Sequence, residues 1–248
     1  MPTQLLKIIT LEAKLELLSG LHIGAGNQEI HIGGIDNAVI KHPYTDQPYI
    51  PGSSVKGRMR SLLEWRAGVV GEANGKPLDS KTLKLLESSS DAQKKMQAQT
   101  IVRLFGISGD TSEEISLAIG PSRLSFWDAA LTAEWVKERE TNREKLTEAK
   151  SENVIDRIRG VAEHPRQTER VPAGALFDFR LTLKVLDDDD ENVLLDTVLA
   201  GMRLLELDGI GGSSSRGYGK LRFTGLLYNG ENIQSRLDQI DPFKLNAA

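Results

Sequence analysis

An α+β fold, with helices layered on one face of an antiparallel sheet, follows from three features of this 248-residue sequence. Ile9, Leu11, Ala13, Leu15 and Leu17 alternate with Thr10, Glu12, Lys14 and Glu16. That period of two marks a strand with one buried face. The same alternation recurs where Phe177, Phe179, Leu181, Leu183 and Val185 interleave with Asp178, Arg180, Thr182 and Lys184. Between and after these strands lie two stripes at helical spacing, one through Val55, Met59, Leu62 and Leu63 and one through Leu195, Val198, Leu199, Met202 and Leu205.

The elements fall in a fixed order. After the first strand, a helix opens near residue 53, with Ser53 or Ser54 placed to cap its first turn. A short apolar strand at residues 124–127 follows Pro121, then the second alternating strand, the second helix and a closing strand at residues 221–227. Strand, helix, strand, strand, helix, strand is the split βαβ order of ferredoxin-like and RNA-recognition folds. Residues 1–248 are read as one domain with long insertions. Residues 65–119 form a helical insertion, with helices expected around 78–87 and 92–105. Residues 132–152 are highly charged and read as a helix extending into solvent. Connections this long within a compact domain are functional or disordered. No internal repeat is visible.

Composition narrows the function classes. Hydrophobic residues at 39% and charged residues at 27% describe an ordinary globular chain. No apolar run approaches the ~20 residues that cross a bilayer, and the N-terminus lacks signal-peptide order, so a cytoplasmic protein is expected. The absence of cysteine excludes disulfides, thiolate metal sites and cysteine nucleophiles. The net charge of −4 is set by the five consecutive acids at residues 187–191, which read as a solvated loop; without them the balance turns slightly basic. The cations gather elsewhere, at Lys56, Arg58, Arg60 and Arg66, at Arg157, Arg159, Arg166 and Arg170, and at Arg216, Lys220 and Arg222. Phosphate binding depends on local potential, so this distribution is compatible with nucleic acid.

Three loops carry the candidate chemistry. Residues 20–26, Gly-Leu-His-Ile-Gly-Ala-Gly, precede Gly33-Gly34-Ile35-Asp36-Asn37. Asp36 reads either as an Asx turn or as a lone carboxylate presented to a ligand, with Glu29, His31 and Asp46 nearby in sequence. Residues 50–60 run Ile-Pro-Gly-Ser-Ser-Val-Lys-Gly-Arg-Met-Arg, a turn opening a helix whose first turns carry three cations. Free amides, the helix dipole and these charges together suit an anion, although a capped helix with a solvated basic face fits equally well. The Walker order is absent, which rejects an NTPase. Residues 209–220, Gly-Ile-Gly-Gly-Ser-Ser-Ser-Arg-Gly-Tyr-Gly-Lys, read either as a flexible connector or as a loop wrapping a phosphodiester backbone. In the second reading Arg216 and Lys220 supply charge and Tyr218 a stacking ring.

Taken in order, these segments resemble the RAMP superfamily of CRISPR proteins, and most of all the repeated backbone subunit of type III-A complexes. A further stretch fits, Asn153-Val154-Ile155-Asp156-Arg157 followed by Pro165-Arg166-Gln167-Thr168-Glu169-Arg170. The resemblance covers most of the chain, with residues 65–99 and 132–150 matching least. Arg159 stands where the family usually has threonine, and Ala25 interrupts the usual glycine pair.

The resemblance implies an RNA-recognition-type palm with finger insertions and a thumb hairpin, the thumb lying within residues 132–175. It implies that copies stack head to tail along guide RNA, that each thumb displaces one nucleotide of the guide–target duplex at a regular interval, and that target single-stranded RNA is cut. Asp36 matches the aspartate on which cleavage depends, and is the expected ligand of a divalent metal, Mg²⁺. His22, Ser53, Ser54, Lys56, Arg58 and Arg60 match guide-holding segments, as do Gly212, Ser214, Arg216, Tyr218 and Lys220. Arg157, Arg166 and Arg170 are expected on RNA or, equally, in surface ion pairs with Asp156, Glu163 and Glu169. Large, small and end-capping subunits are the implied protein partners, and no membrane is. Two other readings remain at this level: a scaffold that binds RNA without cutting, and a stand-alone guide-processing ribonuclease using a histidine.

Overall fold

The computed structural model describes residues 2–26, 37–107 and 113–244. Asp36, with Glu29 and His31, lies outside the described residues. The strands are β1 (Leu5–Leu17), β2 (Tyr49–Ile50), β3 (Leu124–Phe126), β4 (Ala129–Ala130), β5 (Glu148–Ile155), β6 (Ala162–Arg170), β7 (Leu176–Leu186), β8 (Leu221–Tyr228) and β9 (Glu231–Asn232). The helices are α1 (Gly52–Arg66), α2 (Ser80–Glu87), α3 (Ala92–Phe105), α4 (Glu113–Ile119), α5 (Ala133–Thr141), α6 (Glu191–Asp208) and α7 (Gln234–Gln239). The main sheet has the order β3-β7-β1-β8-β9. Setting β9 aside, this is the strand arrangement of a ferredoxin-like palm, with β1 and β7 antiparallel at its centre.

Alternation in β1 and β7 predicts which face is buried, and the structure follows it. Ile9, Leu11, Leu15, Phe177, Leu181 and Leu183 are fully buried, together with Phe223 of β8. The stripes of α1 and α6 cover this face through Val55, Met59, Leu63, Val198, Leu199 and Met202. Gly201 lets the two helices close up, because a Cβ there would sit 2.7 Å from Met59 Cγ.

The opposite face is polar and self-paired. Lys14 pairs with Asp178 directly across β1 and β7. Arg180 reaches Glu12 at 3.4 Å, and Arg222 reaches Glu16 at 2.8 Å across β1 and β8. Trp127, half-exposed, carries the Arg180 guanidinium 4.4 Å from its ring centroid. No helix among the described residues is long and apolar enough to cross a membrane.

Three expectations change. The acids at 187–191 are a solvated loop only in part: 187–190 form a turn in which Asp187, Asp188 and Asp190 are exposed, but Asp189 turns inward. The Asp189 side chain is fully buried against Arg123, itself 0% exposed, with Nε to Oδ2 at 2.8 Å. Asp187 accepts from the Thr3 amide at 2.9 Å and hydroxyl at 2.7 Å, Asp188 pairs with Arg103 and Arg123, and Asp190 caps α6. Glu191 pairs with Lys7 and accepts from the Tyr228 hydroxyl.

Neither Ser53 nor Ser54 caps α1, whose first residue is Gly52. Asp128, far along the chain, accepts the Gly52 amide at 2.7 Å instead. The third change is in the charged stretch after Thr132. It does not extend into solvent as a long helix: α5 spans nine residues, is capped by Thr132 and packs Trp135 and Val136 into the core, and the chain then turns into β5.

Candidate nucleic-acid interface

The sequence places three glycine-rich segments far apart; the fold joins them. The Gly219 amide donates to Gly20 O at 2.9 Å and the Gly212 amide to His22 O at 2.9 Å, which docks the 209–220 loop onto the 20–26 loop. Glycine is required at two of these contacts. A Cβ on Gly219 (φ 68°) would lie 1.8 Å from Ile210 O, and one on Gly211 (φ 80°) would lie 2.5 Å from His22 O. Arg58 of α1 then ties the second segment in, pairing with Asp208 and donating to Gly209 O at 3.4 Å. Lys220 donates to Asp208 O at 2.8 Å.

Parts of the start of α1 and of the 209–220 loop are accessible. Ser53, Gly212, Ser215 and Arg216 are exposed, while Ser54, Lys56, Arg58, Ser214 and Lys220 are half-buried. The loop turns through a single 3₁₀ turn at Ser214–Arg216, with Ser213 and Gly217 in left-handed conformations on either side. Because Asp128 occupies the first amide of α1, attraction for an anion here rests on the side chains of Lys56 and Arg58 more than on the helix end.

The β5–β6 hairpin is anchored at the same place. Leu21 and Val171 exchange backbone hydrogen bonds at 2.8 Å, and His22 Nδ1 lies 2.7 Å from Glu169 O. Asn37, the residue after Asp36, accepts the Glu169 amide at 2.9 Å. Glu169, 6% exposed, has both carboxylate oxygens occupied. Oε2 accepts the Val39 amide at 3.0 Å, and Oε1 meets Lys41 Nζ at 2.9 Å and the Thr147 hydroxyl at 2.7 Å. Burial works to raise its pKa, but these donors together hold the carboxyl below its ordinary value.

At its other end the hairpin is bare. Ile158 is 97% exposed at the turn, flanked by exposed Val154, Ile155, Arg157 and Val161. Asp156 shapes this turn by accepting the Ile158 and Arg159 amides at 2.8 and 3.1 Å.

Part of the set singled out from the sequence is joined by direct contacts: His22 to Gly212, Lys220 to Asp208, and Arg58 to Asp208 and Gly209, while Ser53, Ser54 and Lys56 lie on the first turns of the same helix as Arg58. Arg157 and Arg166 lie exposed on the hairpin, and it is Arg159 that pairs with Asp156 and Glu163. Arg170 is bound at the hairpin base to Glu148 at 2.6 Å.

Two residues depart from expectation. Arg60 turns inward, spanning Glu64 at 2.8 Å, Leu78 O at 2.9 Å and Gly106 O at 3.2 Å, and so fastens the helical insertion to α1. Tyr218 is not an exposed stacking ring: it is 1% exposed and donates to Glu152 Oε1 at 2.8 Å. Sequence reading also missed Glu152 and Thr147, whose spacing carries no signal because their partners are fixed by the fold alone. The polar face of the sheet is taken up by cross-strand ion pairs and by the Arg180–Trp127 contact.

Comparison with known proteins agrees with this architecture. Residues 14–222 match the RAMP superfamily. The chain is 40% identical over 218 residues to the CRISPR system Cms endoribonuclease Csm3 of Methanothermobacter thermautotrophicus, covering 83% of this chain and 79% of that one. Its counterpart in Streptococcus thermophilus is 40% identical over 225 residues, covering 87% and 86%. Among solved structures, a chain of the Csm3-Csm4 subcomplex in the type III-A CRISPR-Cas interference complex superposes with a TM-score of 0.54 at 24% identity, covering 96% of this chain and 98% of that one. The Methanopyrus kandleri Csm3 gives 0.56 at 23%, covering 93% and 79%. The chain belongs to the Csm3 family of the RAMP superfamily.

Proposed function

We propose that this protein is a backbone subunit of a type III-A CRISPR complex that holds guide RNA and cuts target RNA at Asp36. The observation that supports the reading is the meeting of the 20–26 loop and the hairpin base on the chain beside Asp36, with the 209–220 loop docked on the 20–26 loop and Arg58 of α1 tied to the start of the 209–220 loop. Phosphates of the guide lie along Lys56, Arg58, Arg216 and the amides of the 209–220 loop. The exposed hairpin tip, with Ile158 foremost, displaces a nucleotide of the guide–target duplex. Its partners in this reading are guide RNA, target RNA, further copies of itself in a filament, and large, small and end-capping subunits.

RNA carries its own nucleophile, the 2′-hydroxyl. Bending the strand at a displaced nucleotide brings that hydroxyl into line with the next phosphate, and orientation of this kind contributes ~7–11 kcal/mol where it is complete. As the 2′-oxygen bonds to phosphorus, the bond from phosphorus to the 5′-oxygen breaks and that oxygen takes up a proton from water; Asp36 either accepts the hydroxyl proton or binds a divalent ion. Among the described residues no group of three or more histidine or acidic side chains forms a metal cage, and both Glu169 oxygens already accept protein hydrogen bonds. In the metal-binding form of this reading, Asp36 together with RNA phosphate oxygens and water would hold a Mg²⁺ ion, which would offset charge developing on the phosphate.

Isolation of the assembled particle tests the RNA-holding part. A short RNA of defined length should co-purify; a particle that assembles without RNA would overturn it. Chelation by EDTA should stop cutting without releasing target.

A further inference from the structure

We infer that Tyr218 and Glu152 form a strut through which the guide-holding loop sets the angle of the β5–β6 hairpin, making Tyr218 a positioning residue for cleavage. This rests on the function proposed above. Tyr218 belongs to the 209–220 loop and Glu152 to β5, 66 residues apart in sequence, yet the phenol donates to the carboxylate at 2.8 Å. The ring is gripped from the hairpin as well: Lys150 Nζ lies 4.6 Å and the Arg170 guanidinium 5.0 Å from its centroid. Arg216, two residues before Tyr218, reaches the second Glu152 oxygen at 3.2 Å. Both strands of the hairpin are thereby held by one loop. A Cβ on Gly20 would fall 2.5 Å from the Arg170 side chain, so Gly20 leaves the space in which Arg170 turns toward that ring. The depressed Glu152 carboxyl, held down chiefly by the Tyr218 hydrogen bond, agrees with a contact that persists at neutral pH.

A loop that grips guide phosphates and a hairpin that parts the duplex then move as one body. Regular cutting intervals need the hairpin angle to repeat from copy to copy.

Tyr218→Phe and Glu152→Gln, each in the assembled, guide-loaded complex, test this. Tyr218→Phe keeps the ring between Lys150 and Arg170 and removes only the hydroxyl. Losing a hydrogen bond to a carboxylate should speed amide exchange in β5 and β6 about tenfold. Guide content should stay at the wild-type level while target cuts lose their even spacing. Glu152→Gln retains an acceptor for Tyr218 and should restore near-normal exchange. Wild-type exchange and spacing in Tyr218→Phe would overturn the strut, as would guide loss in step with faster exchange. A wild-type complex that binds target but does not cut would refute the proposed function alone, leaving the exchange measurement to decide the strut.

Discussion

The Val39 amide donates to the Glu169 carboxylate at 3.0 Å, bridging 130 residues of sequence between the segment after Asp36 and the base of the hairpin. The Glu169 amide returns a bond to Asn37 O at 2.9 Å, so the two stretches are joined twice. Glu169→Ala would leave the Val39 amide and the Lys41 ammonium without their acceptor at a buried position. A loss of ~1–3 kcal/mol in urea unfolding of the free chain is expected. Unchanged unfolding would mean that the joint adds nothing.

Arg123 and Asp189 make the larger stability prediction. Both side chains are fully buried, and Arg123 also donates to Ile119 O at 2.7 Å and Pro121 O at 2.6 Å. Removing one partner strands a buried charge, so Arg123→Ala should cost ~3–5 kcal/mol. A soluble variant with a wild-type melting temperature would contradict this.

The cations divide by role. Lys56→Ala and Arg216→Ala should each weaken RNA binding alike for every guide sequence and lower the salt slope by about 0.7 for each phosphate left unneutralised. Arg60→Ala should leave that slope alone and lower stability instead, because its guanidinium ties α1 to the helical insertion. Affinity measured across a range of salt concentrations separates the two classes, and an altered slope for Arg60→Ala would refute the division.

Acid should loosen the join between the N-terminus and the turn that follows β7. The Thr3 hydroxyl and amide lower the Asp187 carboxyl from 3.8 to about 2. A depressed carboxyl contributes stability above its unfolded pKa and loses it as pH falls through the folded one. The stability difference between wild type and Asp187→Asn should therefore be constant above about pH 4 and shrink from there towards about pH 2. A difference that does not vary with pH across this window would show that Asp187 does not titrate as described.

What the sequence made legible was whatever one burial pattern repeats. β1 and β7 read clearly because each buries every second residue, and α6 because its stripe faces the sheet. The glycine-rich loops read as a site because residue type and order carry the signal without knowledge of partners. Partner choice was not legible. Asp189 sits in a run whose composition says solvent, and only the fold brings Arg123 to it. Ser53 and Ser54 look like caps, but the acceptor for the first amide of α1 is Asp128. Tyr218 among serines and glycines looks exposed, yet the hairpin closes over it. In each case a contact distant in sequence outweighed the local rule.

Asp36→Ala in the assembled complex is the most direct test of the account. Target RNA should bind within about twofold of wild type, guide RNA should be retained, and cleavage should disappear. Cleavage that persists, or binding and cleavage lost in equal measure, would contradict a carboxylate that acts on the strand without building the site.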